Sequence, residues 1–530
     1  MSILAQAADK LAQVADTVAE SGDKVPTTPS GLPTKLATPH IDFISVAPST
    51  VLIAGALALL VVASLAKHTR WARGFSTWFT IGTALTAGAF TFPLWDRVNT
   101  GRSGAVLSKA LQVDGFSVFF TMLTCCAIVL AALVLDGYLT REGLEGPEVF
   151  VLILLSASGG VIMASANDLI VLFLGLEILS ISLYVLAGSH LRRSESQESA
   201  LKYFVLGGFS SAVFLYGIAL TYGATGSTNI TEIADYLSAN IILNNGLLVG
   251  GLALMLVGLG FKIAAVPFHV WTPDVYQGAP SPVTGFMAAA AKAAGFSALL
   301  RILLVGLSSR RLDWQPIIWV LAIASMILGA VLAVVQTDVK RMLAYSSISH
   351  AGFILIGLQA ANAAGLSASL VYLFAYAFIV LGTFAVITVV GGRGDAAHDL
   401  DDYRGLSQRS PFLAVALTVF LLAQAGIPAT SGFISKFGVI RAAADANSYA
   451  IAIIAMLVSV VGAFFYLRLV LRVWTSDDDH DGHSASEVEV AQIRMPIATQ
   501  VAIAIAFAFT IAVGIMPQTI IDFADRALLR

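Results

Sequence analysis

The run GFKIAAVPFHVWTPDVYQGAPSPVTGFMAAAAKAAGF, residues 260–296, decides how the chain is to be read. It joins the end of one apolar segment, LMLVGLGFKIAAVPF, to the start of another, GFMAAAAKAAGF. Each segment carries a single lysine, Lys262 and Lys292, among apolar and small neighbours. Insertion scales put a lysine at the centre of a spanning helix at about +2.5 to +3.5 kcal/mol. Such a residue persists where it pairs, faces water or takes part in chemistry. Pro267 stands five residues after Lys262 and interrupts its helix by removing a backbone donor. Broken backbone at membrane depth is tolerated where it is buried in protein or lines a water-filled cavity.

The rest of the 530 residues fits a polytopic membrane protein. Hydrophobic residues make up 57% and charged residues 12%, against roughly 25% charged residues in soluble domains. The mean hydropathy is +0.84. So few charges cannot cover the cores that so many apolar side chains would need, which excludes a large soluble enzyme, a disordered chain, a collagen-like repeat and a disulfide-rich secreted fold. The net charge of −3 and the lack of a basic patch argue against a nucleic-acid partner. The two cysteines, Cys125 and Cys126, are adjacent on an apolar stretch; they lack metal-ligand spacing and read as packing residues. No phosphate-binding glycine loop occurs, and the chain reads as redox-silent, with no metal and no cofactor of its own.

Fourteen stretches approach the roughly 20 apolar residues of a spanning helix. Their limits are 46–66, 75–94, 115–136, 148–165, 168–189, 200–222, 246–268, 280–307, 315–336, 340–358, 366–391, 411–441, 447–474 and 495–517. The expected architecture is an all-α integral membrane domain over 46–517, an Ala-rich and Pro/Thr-containing N-terminal extension over 1–45, and a tail over 518–530. The extension is either a docking helix for a neighbour or a partly disordered tail, and its lack of an apolar signal core predicts no cleavage. Lys67, Arg70 and Arg73, then Arg192 and Arg193, Lys340 and Arg341, and Arg393, Arg404 and Arg409 all fall in loops on one side. The positive-inside rule makes that side cytoplasmic and puts both termini outside, although Arg97, Arg102, Lys109, Arg310 and Arg311 oppose it. The acidic, His-bearing run SDDDHDGH over 476–483 reads as a solvated loop, with metal binding as its alternative.

A second interrupted span carries GIPATSG, with Pro428 eight residues before Lys436. The two breaks lie five spans apart, each beside a lysine. That pattern suggests two inverted five-span repeats, spans 4–8 and 9–13, with spans 7 and 12 discontinuous; simply kinked helices are the alternative. Glu177 sits mid-way along span five, Lys202 lies two residues inside span six, and His269, Lys340 and His350 complete the set of intramembrane titratable groups. One carboxylate and several lysines at this depth suggest a proton or cation path whose members titrate as a set. The plain alternatives are static ion pairs for Glu177, Lys262, Lys292 and Lys436, snorkelling for Lys202 and Lys340, and packing histidines for His269 and His350.

The run at 260–296, together with DVKRMLAYSSISHAGF at 338–353 and GIPATSGFISKF at 426–437, resembles the antiporter-like, proton-translocating membrane subunits of respiratory complex I. The likeness covers about 46–517. Within the family the chain is most similar to the subunit N branch of bacterial NADH-quinone oxidoreductase. It has Lys436 where subunit M has Glu, and it ends about 13 residues past span fourteen, where subunit L continues into a lateral helix. The resemblance implies that Glu177 pairs with Lys262, that Lys292 is the central connecting lysine, and that Lys436 faces an exit half-channel. It also implies that Lys202 is a further lysine near the Glu and that His269 and His350 lie on the hydrophilic axis; Asp274, in the WTPDVY loop, reads as a structural cap, with proton transfer as its alternative. The parent complex would supply NAD, FMN, iron–sulfur clusters and quinone, and the partners would be other complex I membrane subunits and phospholipids in a bacterial inner membrane. A multisubunit cation/proton antiporter module, a non-pumping scaffold and a stand-alone solute carrier remain as rival readings.

Overall fold

In the computed structural model, the described residues are 42–65, 72–144, 146–240, 245–475, 493, 495–527 and 529. Residues 1–41 of the extension expected over 1–45, Lys67, Arg70 and the acidic run at 476–483 lie outside them. The chain begins with α1 (Phe43–Leu65), α2 (Ala72–Ala89) and α3 (Thr91–Asn99). A short antiparallel hairpin of β1 (Gly104–Val106) and β2 (Leu111–Val113) follows, with Gly104 opposite Val113. Then come α4 (Gly115–Glu142), α5 (Glu148–Ser165), α6 (Leu169–Ala187), α7 (Ser194–Thr225), α8 (Ile230–Ala239), α9 (Gly246–Ile263) and α10 (Thr272–Gly278). The second half contains α11 (Ser281–Gly306), α12 (Ser308–Val334), α13 (Val339–Ala360), α14 (Ala363–Val390), α15 (Pro411–Ala425), α16 (Ser431–Asp445), α17 (Tyr449–Trp474), α18 (Ile497–Ile515) and α19 (Gln518–Arg526).

Among the described residues, twelve of these helices are long and apolar enough to cross a membrane. The chain is an integral membrane protein. The two remaining expected spans take another form. The stretch 75–94 is divided between α2 and α3, and 411–441 is divided between α15 and α16. Within the span windows, α14 is 100% buried and α13 is 94% buried, so these two helices form the centre of the bundle. The outer helices present Leu, Val, Ile and Phe outward, as a surface facing lipid tails requires.

Both α6 and α13 start at an aspartate, for the same reason. Asp168 accepts from the Ile170 amide at 2.8 Å and Asp338 from the Arg341 amide at 2.7 Å, satisfying donors that a helix start leaves open. Each start is also clasped by a later loop. The Leu169 amide donates to Thr228 O at 2.8 Å, and the Val339 amide donates to His398 O at 2.8 Å. The two clasps are five spans apart, so alternate crossing puts them on opposite faces of the membrane.

The breaks arise from backbone geometry more than from the prolines that signalled them. The first half-helix, α9, stops at Ile263, ahead of Pro267, because Ala264 adopts φ 62°. The Ala264 and Ala265 amides then cap the carbonyls of Phe261 and Gly260. The Trp271 indole donates to Phe261 O at 2.9 Å, so that carbonyl stays satisfied inside the protein. In the second break, Gly426 adopts φ 91° and ends α15; the exposed Pro428 follows within the connecting turn.

Candidate functional site

Spacing along α6 places Glu177, Ser180 and Tyr184 on one helix face, three and four residues apart. Lys262, in the last turn of α9, points its amine at that face. Its Nζ donates to Ser180 Oγ at 2.8 Å and to Tyr203 OH of α7 at 3.3 Å, and it lies 5.5 Å from the Tyr203 ring centroid. The C-terminal end of a half-helix favours a cation there. A void of about 10 Å³ beside Lys262, bordered by Ser180, Tyr184 and Ser210, is about the size of one water. Glu177 Oε1 is buried with no hydrogen-bond partner among the described residues. The expected pair is therefore brought within electrostatic reach but has no direct hydrogen bond in this conformation.

Lys292 follows a π-helical turn, Met287–Ala291, inside α11. Such turns are frequent at functional sites because they realign side chains along a helix. The amine donates to Ser347 O at 2.6 Å and makes a short hydrogen bond with Ser347 Oγ. On α13, one turn beyond Ser347, buried His350 bonds Tyr372 OH through Nδ1 at 2.7 Å and Tyr466 OH through Nε2 at 3.0 Å. Tyr466 in turn bonds Ser346. Lys436, in the second turn of α16, donates back to Ala425 O, the last carbonyl of α15, at 3.0 Å, and sits 4.8 Å from the Phe353 ring. The three lysines are 6%, 3% and 7% exposed, and each hydrogen-bonds only to neutral oxygens.

Three residues lie elsewhere than the sequence suggests. Helix α7 starts at Ser194, ahead of the expected 200, so Lys202 stands at the helix-end face and is 42% exposed. Its partners are Glu198 at 2.7 Å and Asp274 at 2.8 Å. Asp274 does not cap α10; it bridges Lys202 and Arg341, at 2.7 Å from the latter. Burial raises the Asp274 carboxyl, but hydrogen bonds from Lys202 and Arg341 outweigh this and hold it below the usual carboxylate range. Lys340 does not snorkel. It is fully buried, 3.1 Å from Asp395 Oδ2, and donates to Ala279 O at 2.7 Å. His269 lies half-buried in the first break, beside the exposed Pro267 and Val270, and has no hydrogen bond to any of these lysines.

Sequence reasoning missed several polar residues. Arg301, inside α11, makes a bidentate bond to Asp114 at 2.9 and 3.0 Å and also donates to Ala164 O. Its charge in an apolar span was the available signal. Asp395 and His398, in the loop after α14, have no such signal because GGRGDAAHDLDDY looks like a solvated loop. Among the described residues, no group of three or more His, Cys, Asp or Glu side chains is placed to hold a metal ion.

Comparison with known proteins gives the same picture. The family described as NADH:quinone oxidoreductase/Mrp antiporter, TM matches residues 166–462. A protein of Mycobacterium bovis, NADH-quinone oxidoreductase subunit N, is 47% identical over 393 residues, 73% of this chain and 72% of its own length. The subunit N of Trichlorobacter lovleyi is 39% identical over 481 residues, 91% of this chain and 96% of its own. A chain of respiratory complex I from Thermus thermophilus with bound aureothin superimposes with a TM-score of 0.73 at 32% identity, covering 90% of this chain and 98% of that one. With three lysines at two helix breaks and a π-helical turn, and with this breadth of similarity, the chain belongs to the NADH:quinone oxidoreductase/Mrp antiporter membrane family, in its NADH-quinone oxidoreductase subunit N branch.

Proposed function

We propose that this chain is the subunit of a proton-pumping NADH:quinone oxidoreductase that carries protons along Lys262, Lys292, His350 and Lys436. NADH oxidation and quinone reduction take place in other subunits, which hold the FMN, iron–sulfur clusters and quinone; this chain has no redox centre. The observation that carries the reading is the row of buried amines bonded only to neutral oxygens. An unpaired ammonium loses several kcal/mol of solvation on burial. The neutral amine is then a competitive form, and a proton can be loaded and passed on. Glu177, whose Oε1 has no partner, is the mobile counter-charge that favours a proton on Lys262 when it approaches. Ser347, Tyr372 and Tyr466 orient the amines and the imidazole between them.

The face bearing Arg193, Lys340, Arg341 and Arg393 is the cytoplasmic side of a bacterial inner membrane, by the positive-inside rule, and both termini lie opposite. The partners are the adjacent membrane subunits of the complex and surrounding phospholipids. A cation/proton antiporter module is the second reading, because the matching family description spans both groups. Co-purification of flavin and iron–sulfur proteins with the chain would exclude it.

The test is NADH-driven proton uptake by inverted membrane vesicles carrying Lys262→Ala, with assembly followed on a native gel. The expected result is an assembled complex whose proton uptake and coupled quinone reduction both collapse. Wild-type uptake in an assembled complex rejects the transfer role and favours a scaffold.

A further inference from the structure

A cavity of about 440 Å³ opens where α7 begins and α10 ends, and its lining includes Arg193, Lys202, Asp274, Arg341 and His398. This volume has room for on the order of ten waters. It lies on the face assigned above as cytoplasmic. The loop after α14 lines one side of it and is fixed by two backbone bonds at the start of α13: Val339 N to His398 O at 2.8 Å and Leu400 N to Thr337 O at 3.0 Å.

His398 is buried and lines this cavity. Its two ring nitrogens have different surroundings. Nε2 lies 3.1 Å from Asp395 Oδ1, while Nδ1 has no hydrogen-bond partner among the protein groups described. Behind it, Asp395 Oδ2 is 3.1 Å from Lys340 Nζ. Ser281 holds the carboxylate with its hydroxyl at 2.7 Å and its amide at 3.0 Å, and Arg193 reaches Oδ2 at 3.2 Å. Lys340 and Ser347 are two turns apart on one face of α13, about 10.5 Å along the axis. Ser347 is the partner of Lys292.

We propose that His398, Asp395 and Lys340 form a proton entrance that feeds Lys292 directly from the cavity, separately from the Glu177–Lys262 pair. The proposal rests on the proton-translocating reading above. A purely structural clamp would need only Asp395 with its cations, and a buried ring nitrogen left unpaired costs about 1–3 kcal/mol. Nδ1 is itself covered in this conformation, so cavity water reaches it when the ring turns toward the cavity that His398 lines.

In the step, Nδ1 takes a proton from cavity water as Nε2 releases its proton to Asp395 Oδ1. With the carboxyl neutral, Lys340 passes its own proton inward to water on the way to Lys292. Rotation of the carboxyl about Cβ–Cγ then brings the Oδ1 proton to the emptied Nζ at the Oδ2 position, and a flip of the imidazole ring, which exchanges Nδ1 and Nε2, restores the starting tautomer. Only N–H and O–H bonds form and break, and no electron moves. Burial raises the Asp395 carboxyl, but Lys340, His398 and Ser281 hold it well below the usual carboxylate range. It is therefore a fixed anion that a proton crosses without resting. Arg193, Glu142 and Asp338 are the other charged groups whose fields meet at this loop.

The experiment uses the whole complex in inverted vesicles carrying His398→Ala, with NADH-driven proton uptake measured with and without imidazole at millimolar concentration. A positioned acid or base contributes ~10²–10⁴-fold to a proton transfer, so a loss of about tenfold is a conservative expectation where water carries part of the flux. Imidazole, which the cavity can admit, is expected to restore much of the rate. Wild-type uptake overturns the proposal, and so does a loss that imidazole leaves unchanged, because a structural defect is not repaired by a mobile base. If His398→Ala fails to assemble, His398→Gln decides. Its amide keeps a hydrogen bond to Asp395 but cannot relay a proton, so slowed uptake in an assembled complex supports the entrance and wild-type uptake rejects it. Lys292→Ala separates the two levels. If it abolishes pumping while the His398 variants do not, only the entrance is wrong; if it too pumps normally, the underlying transfer reading fails.

Discussion

Replacing Gly426 by alanine tests whether the second helix break sets the position of Lys436. Gly426 sits at φ 91°, where an L side chain is strained, and an added Cβ would lie 2.9 Å from Lys436 Cδ. The left-handed backbone alone costs about 1–2 kcal/mol for a residue with a Cβ. The close contact adds a further loss unless the lysine moves, and if it moves, Nζ leaves the Ala425 carbonyl that it now meets at 3.0 Å. A buried amine that loses its acceptor forfeits about 1–3 kcal/mol. The total is about 2–5 kcal/mol. Soluble-domain unfolding entropies scaled to this length give on the order of 1 kcal/mol per degree, so the thermal midpoint should fall by about 2–5 °C. Proton uptake should slow well beyond what that small loss of folded protein explains. Gly426→Asn divides the two causes, because Asn tolerates the left-handed region but still carries the Cβ. It should recover most of the midpoint and little of the uptake. If Gly426→Ala keeps both midpoint and uptake at wild-type levels, the break geometry does not position Lys436 and the reasoning fails.

Two further predictions concern the paired charges at the helix ends. Arg301→Met leaves the buried Asp114 carboxylate without its counter-charge, a loss of about 3–5 kcal/mol. Adding Asp114→Asn should recover part of it, and a thermal-midpoint cycle that finds no such recovery would show that the pair is not what the single change breaks. Asp274 has a carboxyl held below its ordinary value by Lys202 and Arg341 against the opposing effect of burial. Its stabilising contribution is therefore present above the unfolded value near 3.8 and is lost as pH falls through the lower folded value. Asp274→Asn should flatten the midpoint-against-pH curve on that acid side and leave its slope at neutral pH unchanged.

The residues that stand out in the sequence do so because an apolar span makes any charge conspicuous. Lys262, Lys292 and Lys436 are legible in this way, and so are the two breaks beside them. What the sequence misplaces depends on distance through space. The prolines mark the breaks, yet the first break opens at Ala264, where an αL cap and the Trp271 indole close the helix end. Lys202 lies at the helix end because α7 starts earlier than its apolar run does. Lys340 reads as a snorkelling end residue, because nothing local shows that Asp395, 55 residues away, closes over it. His398 is hidden for the same reason: an Asp–His spacing of three in a charge-rich loop looks like solvent-exposed chain until the loop is pinned to the start of α13.

The distribution of counter-charges also bears on transport. At one face, Lys340 and Arg193 share the carboxylate of Asp395, and at the other Arg301 is paired with Asp114. Between these paired ends, Lys262, Lys292 and Lys436 meet hydroxyls and carbonyls instead. Two unit charges 4 Å apart attract by ~4 kcal/mol at an effective dielectric constant of about 20. That energy, applied permanently at each lysine, would hold its proton by about three decades of equilibrium constant. A fixed carboxylate therefore suits a place where charge must stay, and neutral partners suit the sites a proton has to leave; at the proposed entrance Lys340 lets its proton go only when an arriving proton cancels the charge of Asp395. Glu177 is the exception that makes the row switchable. It reaches Lys262 electrostatically without a fixed hydrogen bond, so its approach or withdrawal changes the proton occupancy of the first lysine while the rest of the row keeps its geometry.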